Sequence, residues 1–232
     1  MFLIEGFKGV EEALKYGLEV THVFLNEKHS EKISKYPEDI LYLVDDKILK
    51  KISTTDTPCE ILAVAKQFKY RVKDLLKDEN PLIILIEDIK DPGNLGAIIR
   101  TAKAAGASGI ILSGKTADIF NPKIVRSTAG NLWKIPFVYL DGKNRLKSIL
   151  SDCEEIQFVA TAAGSKTSYF EVNYKSPIVV MFGSEAEGLS EDLLKQADIT
   201  AEIPMDSEVE SLNLSISAGI VLYEAFRQRN FL

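Results

Sequence analysis

A chain of 232 residues is long enough to bury a sizeable core, as one large domain or two modest ones. Its 46% hydrophobic and 27% charged residues exclude disordered and fibrous classes, and its longest apolar runs of about half a dozen residues fall far short of the roughly 20 that span a bilayer. The net charge of −6 argues against an all-over nucleic-acid surface, so any polyanion must be met by local patches.

The opening stretch, MFLIEGFKGVEE, places Glu5 early and has no apolar core segment, so it reads as folded chain and not as a signal peptide. GVEEALKYG reads as a helix closed by Gly17. VTHVFLN reads as a strand, DDKILKKIS as a short helix and CEILAVAK as another strand. KQFKYRVK then alternates basic with apolar residues. On a strand this sets Phe68, Tyr70 and Val72 on one face and Lys69, Arg71 and Lys73 on the other. The charged stretch KDLLKDEN leads to Pro81, which divides the chain into residues 1–76 and 80–232.

Beyond Pro81 strands and helices alternate. Strands are expected at 82–88, 109–112, 137–140, 157–162, 178–182 and 199–203. Helices are expected at 94–105, near 121–129, near 143–151, at 190–196 and at 213–229. Short Ile/Val-rich strands separated by helices imply an α/β fold with a parallel sheet covered on both faces. Ligands in such sheets sit at the carboxyl ends of strands, where three loops fall: 91–96, 183–190 and 203–215. Residues 119–147 hold six basic residues (Lys123, Arg126, Lys134, Lys143, Arg145 and Lys147) against Asp141 alone. This run and that at 66–73 are equally compatible with solvated surfaces.

Each loop admits a bland reading and a functional one. The turn Gly93-Asn94-Leu95-Gly96 lacks the G-x-G-x-x-G spacing of a dinucleotide site. Arg100 follows it among Ile98, Ile99, Ala102 and Ala104. Read as core-facing it needs a partner, for which Asp88 and Asp91 are candidates. GSEAEGLS nearly matches a phosphate-binding loop, but Leu189 stands where the lysine belongs, and Glu185 and Glu187 would repel phosphate. It serves either as a structural turn, with Ser190 capping the next helix, or as a close backbone approach to a ligand at Gly183 and Gly188. In SLNLSISAGIVLYEAFRQR, Ser211 and Asn213 are good cap residues, and the small Ser215, Ser217, Ala218 and Gly219 suit tight packing in a core or a dimer. Cys59 and Cys153 stand alone, as buried thiols of a reducing compartment do. His22 and His29 have no partner at ligand spacing, so no metal is expected.

Taken together, DPGNLGAIIRTAKAAG, VVMFGSEAEGLS and IPMDSEVESLNLSISAGIVLYE resemble the three motifs of the SpoU (TrmH) family of RNA ribose 2′-O-methyltransferases, of the SPOUT superfamily. NPKIVRSTAGNLWKIP between them is similar as well. FLIEGFKGVEEAL and TPCEILAVAK resemble, more loosely, the small ribosomal-protein-like α/β domain that binds substrate RNA in many members. The resemblance implies a C-terminal α/β trefoil-knot domain, a homodimer and S-adenosylmethionine as methyl donor. It implies catalytic roles for Asn94, Arg100, Glu185, Ser211 and Asn213, and a cofactor pocket at Thr161, Ala162, Gly183, Ile203, Met205 and Leu212. Lys123 and Arg126, with Lys69 and Arg71, are candidates for RNA phosphates.

A cytoplasmic enzyme acting on ribosomal RNA, 23S in particular, is the reading favoured over one acting on transfer RNA, by analogy with members that carry the added domain. Three rivals were weighed. A nicotinamide-dependent dehydrogenase needs the glycine fingerprint that is missing here. A non-catalytic RNA-binding or ribosome-assembly protein on the same scaffold would be favoured by loss of Arg100, Glu185 or Asn213, and all three are present. Base methylation is disfavoured by the Asn-Arg first motif.

Overall fold

The computed structural model describes residues 1–140, 146–153 and 155–231. The strands are β1 (Phe2–Glu5), β2 (Val20–Asn26), β3 (Leu41–Val44), β4 (Ile61–Ala65), β5 (Leu82–Glu87), β6 (Gly109–Ser113), β7 (Phe137–Leu140), β8 (Gln157–Thr161), β9 (Thr167–Ser168), β10 (Ile178–Phe182) and β11 (Ile199–Glu202). The α-helices are α1 (Phe7–Lys15), α2 (Asp46–Ile52), α3 (Val72–Leu75), α4 (Pro92–Ala104), α5 (Pro122–Ser127), α6 (Leu146–Ile149), α7 (Glu191–Leu194) and α8 (Leu214–Phe231). Residues 143–145 of the helix expected near 143–151 lie outside the described residues.

The chain divides into two compact units, Met1–Phe68 with Asp118–Lys134, and Lys69–Ala117 with Ile135–Leu232. The first is built on a mixed four-stranded sheet in the order β1-β4-β2-β3. β1 alternates buried and half-buried side chains, the central β4 is buried at four of its five positions, and the outermost β3 has no buried residue. The excursion Asp118–Lys134 brings α5 against β1. The anchor of that packing is Glu5, whose side chain is 2% exposed and ion-paired with Arg126. Thr54 supports the same carboxylate through its N–H and hydroxyl, both at 2.8 Å, and Ser53 through its hydroxyl at 2.8 Å. Phe2, Phe68 and Phe120 pack edge-on and tilted beside it, at centroid distances of 5.0–6.1 Å.

The second unit holds a seven-stranded sheet, β7-β6-β5-β10-β8-β11-β9, in which every pairing is parallel. β5, β6 and β10 are buried along their whole length. That is the burial expected when helices cover both faces, and it explains why LIILI, IIL and IVVMF read as continuous apolar runs. β10 follows β8 in sequence yet inserts between β5 and β8, in register with both. This insertion brings the loops after β5, β10 and β11 toward one edge of the sheet.

Residues 66–73 form no strand. β4 ends at Ala65, the Lys66 N–H still donates to the Glu19 carbonyl at 2.9 Å, and α3 begins at Val72. Burial still alternates along the extended run, with Phe68, Tyr70 and Val72 half-buried and the basic residues exposed. Side-chain packing is therefore satisfied without a backbone ladder. β3, β9 and the 3₁₀ turns at 27–35 are absent from the sequence reading, because short, half-exposed segments carry little periodicity.

Candidate active site

The loop after β5 enters α4 through Asp91, whose Oδ1 accepts the Asn94 N–H at 2.7 Å. Pro92, lacking an N–H, occupies the first helical turn, where a donor would have no partner. The cap leaves the Asn94 side chain free, and its Nδ2 donates to Glu185 Oε1 at 2.9 Å. Asn213, at the entry to α8, donates from Nδ2 to both Asn94 Oδ1 (3.1 Å) and Glu185 Oε1 (3.0 Å). The Leu214 N–H reaches the same Glu185 oxygen at 3.2 Å. Asn213 Oδ1 meanwhile accepts the Ser215 N–H (2.9 Å) and hydroxyl (2.6 Å). Asn213 is thus both helix cap and site residue, the two readings its sequence left open. Three segments far apart in the chain meet at one carboxylate oxygen.

Glu185 is held by an unusually constrained loop. Ser184 and Gly188 exchange N–H···O bonds at 3.1 and 3.0 Å. A Cβ on Gly183 would lie 1.9 Å from the Gly188 carbonyl carbon, so the two glycine backbones approach as no other residue at 183 allows. Gly188 sits at φ +70°, in the left-handed region. The far end of the loop is clamped by Glu87, 8% exposed, whose two oxygens accept the Ser190 N–H (2.7 Å) and hydroxyl (2.8 Å). Ser190 therefore spends its side chain on Glu87 and makes no side-chain cap on α7, contrary to the sequence expectation. Glu87 was missed in the sequence, although one signal was present: it is the single charged residue ending the apolar strand LIILIE.

All six expected cofactor residues, Thr161, Ala162, Gly183, Ile203, Met205 and Leu212, line one open cleft at the ends of β8, β10 and β11. Ser211, Glu185 and Glu202 add polar groups to a wall otherwise built from Phe182, Ala201, Ile203 and Leu212. Thr161 is fixed by its hydroxyl, which donates to the Met181 carbonyl at 2.8 Å. A second and larger cavity adjoins it through Ser184, Glu185 and Leu214 and extends to Asp88, Lys90, Asn94 and Lys115.

Arg100 does not fit the core-facing alternative. It is exposed, and among the described residues it forms no ion pair. The helical wheel explains this: Leu95, Ile98, Ile99 and Ala102 are the buried face of α4, and Arg100 lies off it, in line with Gly93 and Ala97. Asp88 and Asp91, the partners considered for it, are engaged by the Lys115 and Asn94 N–H groups. In the first unit Arg126 is taken up by Glu5 and by the Thr54 hydroxyl at 2.5 Å. Lys123 is exposed on α5, and Lys69 and Arg71 are exposed on the extended run before α3. The four basic residues singled out as RNA contacts are thus not held alike.

Residues 81–223 match the model of the SpoU rRNA Methylase family, and residues 1–63 match that of the MRM3-like substrate binding domain. Among curated relatives, the chain is 31% identical over 229 residues to the 23S rRNA (guanosine(2553)-2′-O)-methyltransferase RlmP of Bacillus subtilis (strain 168), covering 96% of this chain and 87% of that protein. An AdoMet-bound rRNA methyltransferase from Sinorhizobium meliloti superposes with a TM-score of 0.87 at 33% identity, over 100% of this chain and 88% of the other. The SpoU methyltransferase AviRb from Streptomyces viridochromogenes, in complex with the cofactor AdoMet, gives 0.87 at 28% identity, over 98% and 90%.

Proposed function

Because this chain belongs to the SpoU rRNA methylase family, with the trefoil-knot (SPOUT) α/β fold in its C-terminal part, we propose that it transfers the methyl group of S-adenosylmethionine to a ribose 2′-hydroxyl of 23S ribosomal RNA. The observation that carries the reading is the meeting of Asn94, Glu185 and Asn213, one from each motif, beside a cleft lined by all six expected cofactor residues. Relatives named as acting on 23S ribosomal RNA at the 2′-oxygen support the substrate. Ribosomal RNA in the cytoplasm is favoured over transfer RNA, with residues 1–76 gripping the RNA and residues 80–232 performing the chemistry.

The cleft suits the cofactor chemically. Apolar Ile203, Leu212 and Phe182 fit a flat base, while Thr161, Glu202 and Ser211 offer partners for hydroxyl and ammonium groups. When bound, S-adenosylmethionine supplies a methyl group already activated on a sulfonium, which leaves alignment, exclusion of water and handling of the hydroxyl proton to the protein. Gly183 and Gly188 keep the loop backbone low enough for that approach. Glu185, locked by three N–H donors, fixes the loop edge against which the acceptor ribose is oriented by Asn94 and Asn213.

Arginine stays protonated in proteins, so Arg100 is assigned to stabilising the alkoxide that develops at the 2′-oxygen and to holding the neighbouring phosphate. An unpaired exposed guanidinium is available for that purpose. The enzyme acts as a homodimer: α8 carries a stripe through Ile216 (56% exposed) and Tyr223 (53% exposed) at helical spacing, which a second copy would cover.

The test is methyl transfer from labelled S-adenosylmethionine to deproteinised ribosomal and transfer RNA, followed by alkaline hydrolysis. A 2′-O-methyl group blocks cleavage at its own nucleotide, whereas a methylated base does not. Label in one alkali-resistant dinucleotide of 23S RNA is expected. Binding of RNA without transfer to either pool would overturn the enzymatic reading.

A further inference from the structure

The larger cavity beside the site is not accounted for by cofactor binding. It shares Ser184, Glu185 and Leu214 with the cofactor cleft and is bordered by Asn94, so a group seated in it lies directly against the catalytic asparagine and glutamate. Its outer wall comes from two loops, those after β5 and β6. We propose that Lys90 and Lys115, on these loops, form a subsite for a second backbone phosphate of the acceptor RNA strand, beyond the one assigned to Arg100.

The two loops are fastened to each other rather than merely adjacent. The Asp88 N–H donates to the Ser113 carbonyl at 3.0 Å, the Lys115 N–H donates to Asp88 Oδ1 at 2.5 Å, and the Ala117 N–H donates to the Ile89 carbonyl at 2.8 Å. To make these bonds Asp88 adopts φ +54°, a left-handed conformation uncommon for a non-glycine residue, and Gly114 adopts φ +69°. A Cβ on Gly114 would meet Asp88 Oδ1 at 2.4 Å, so only glycine lets the carboxylate reach the Lys115 N–H. The main chain at Lys90 and Lys115 is thereby set on one wall of the cavity.

Charge decides what this wall can hold. The cavity is also bordered by Asp88, Asp91, Glu185 and Glu187, which at first sight would repel an anion. Three of these accept hydrogen bonds from neutral N–H groups, Asp88 from Lys115, Asp91 from Asn94, and Glu185 from Asn94, Asn213 and Leu214, which fixes their positions and leaves their charge in place, so that an anion can be held only where the two ammonium groups reach it. Lys90 and Lys115 are both exposed and, among the described residues, form no ion pair. Two unspent ammonium groups on mutually fixed loops suit a phosphodiester, which each meets as a compact point charge.

The inference rests on the proposed methyl transfer to RNA, so the experiment separates the two. Binding of deproteinised ribosomal RNA would be measured by filter retention across a salt series for wild type, Lys90→Ala/Lys115→Ala and Lys90→Arg/Lys115→Arg. Single-turnover transfer and cofactor affinity by calorimetry would be read on the same preparations. The alanine pair is expected to weaken RNA binding about tenfold and to flatten the salt slope by roughly one unit, at ~0.7–0.9 per phosphate contact. Cofactor affinity and the rate at saturating RNA should stay within about threefold of wild type, and the arginine pair should recover most of the binding. An unchanged RNA affinity and slope in the alanine pair would overturn the subsite, whether or not the wild type transfers methyl. Wild-type RNA binding without transfer would instead defeat the enzymatic reading and leave the salt slopes to judge the lysines.

Discussion

Removing the Glu185 carboxylate tests whether the three motif segments act as one unit. In Glu185→Ala the Asn94 Nδ2, the Asn213 Nδ2 and the Leu214 N–H all lose their common acceptor, at 2.9, 3.0 and 3.2 Å. Each such bond is worth about 0.5–1.5 kcal/mol net, and the site is solvated, so the lower part of that range applies. Three bonds then contribute ~2–3 kcal/mol to holding Asn94 and Asn213 in place. Lost from the transition state, this corresponds to a fall of about 30- to 150-fold in single-turnover methyl transfer. Because Asn213 still caps α8 through Oδ1, the fold should survive, and cofactor affinity should change little. The assay is single-turnover transfer for Asn94→Ala, Glu185→Ala and the double variant. The double variant should be no slower than the worse single variant, since residues that act as a unit are non-additive. Multiplicative losses, or full activity in Glu185→Ala, would refute the argument that this carboxylate organises the site.

Other outcomes follow from single features. Arg100→Ala should cut transfer by ~10²-fold or more with calorimetric cofactor affinity intact, and Arg100→Lys should restore little of it. Gly183→Ala places a methyl 1.9 Å from the Gly188 carbonyl carbon, so titration should show cofactor binding abolished together with a lower melting temperature. Glu87→Ala removes both acceptors of Ser190, which is itself exposed so that water replaces them in part; at about 1–2 kcal/mol for the two bonds the midpoint should fall by roughly 2–8 °C in calorimetry. Burial pushes the Glu5 carboxyl upward, but Thr54, Ser53 and Arg126 outweigh it and hold the folded value below the ordinary 4.5. Its stabilisation is therefore present above the unfolded value and lost as pH falls through the folded one, and acid titration of Glu5→Gln should show a shallower loss of stability below about pH 4.5.

The second unit was largely legible from the sequence because its strands are buried on both faces, and continuous apolar runs such as LIILI and IVVMF advertise that burial. The meeting of Asn94, Glu185 and Asn213 was not legible in the same way. Each sits in a loop with an adequate structural explanation, and only the insertion of β10 between β5 and β8 makes the loops neighbours. Resemblance to a family supplied what periodicity does not. The core-facing alternative for Arg100 fails because its flanking Ile and Ala residues are not its surroundings: on a helix the adjacent positions point elsewhere. Residues 66–73 misled for a related reason. Alternating burial is a property of any extended chain lying on a surface, and a ladder partner cannot be inferred from it. The membership of Asp118–Lys134 in the first unit had no signal at all, since it depends on a buried ion pair between Glu5 and Arg126, distant in sequence.

The position of β10 also fixes when this protein can exist as an object during its synthesis. Leu82 pairs with Ile178, and Val179 and Val180 bridge β5 to β8 across the centre of the sheet. Until residue 182 has emerged from the ribosome, β5 and β8 present two unsatisfied buried edges with nothing between them. A chain halted before that point holds Asn94, Thr161 and Ala162 but neither Glu185 nor Asn213 to join them, and its unpaired strand edges mark it for chaperones or degradation. Assembly is thus governed by contacts of long sequence separation and completes only near the end of translation.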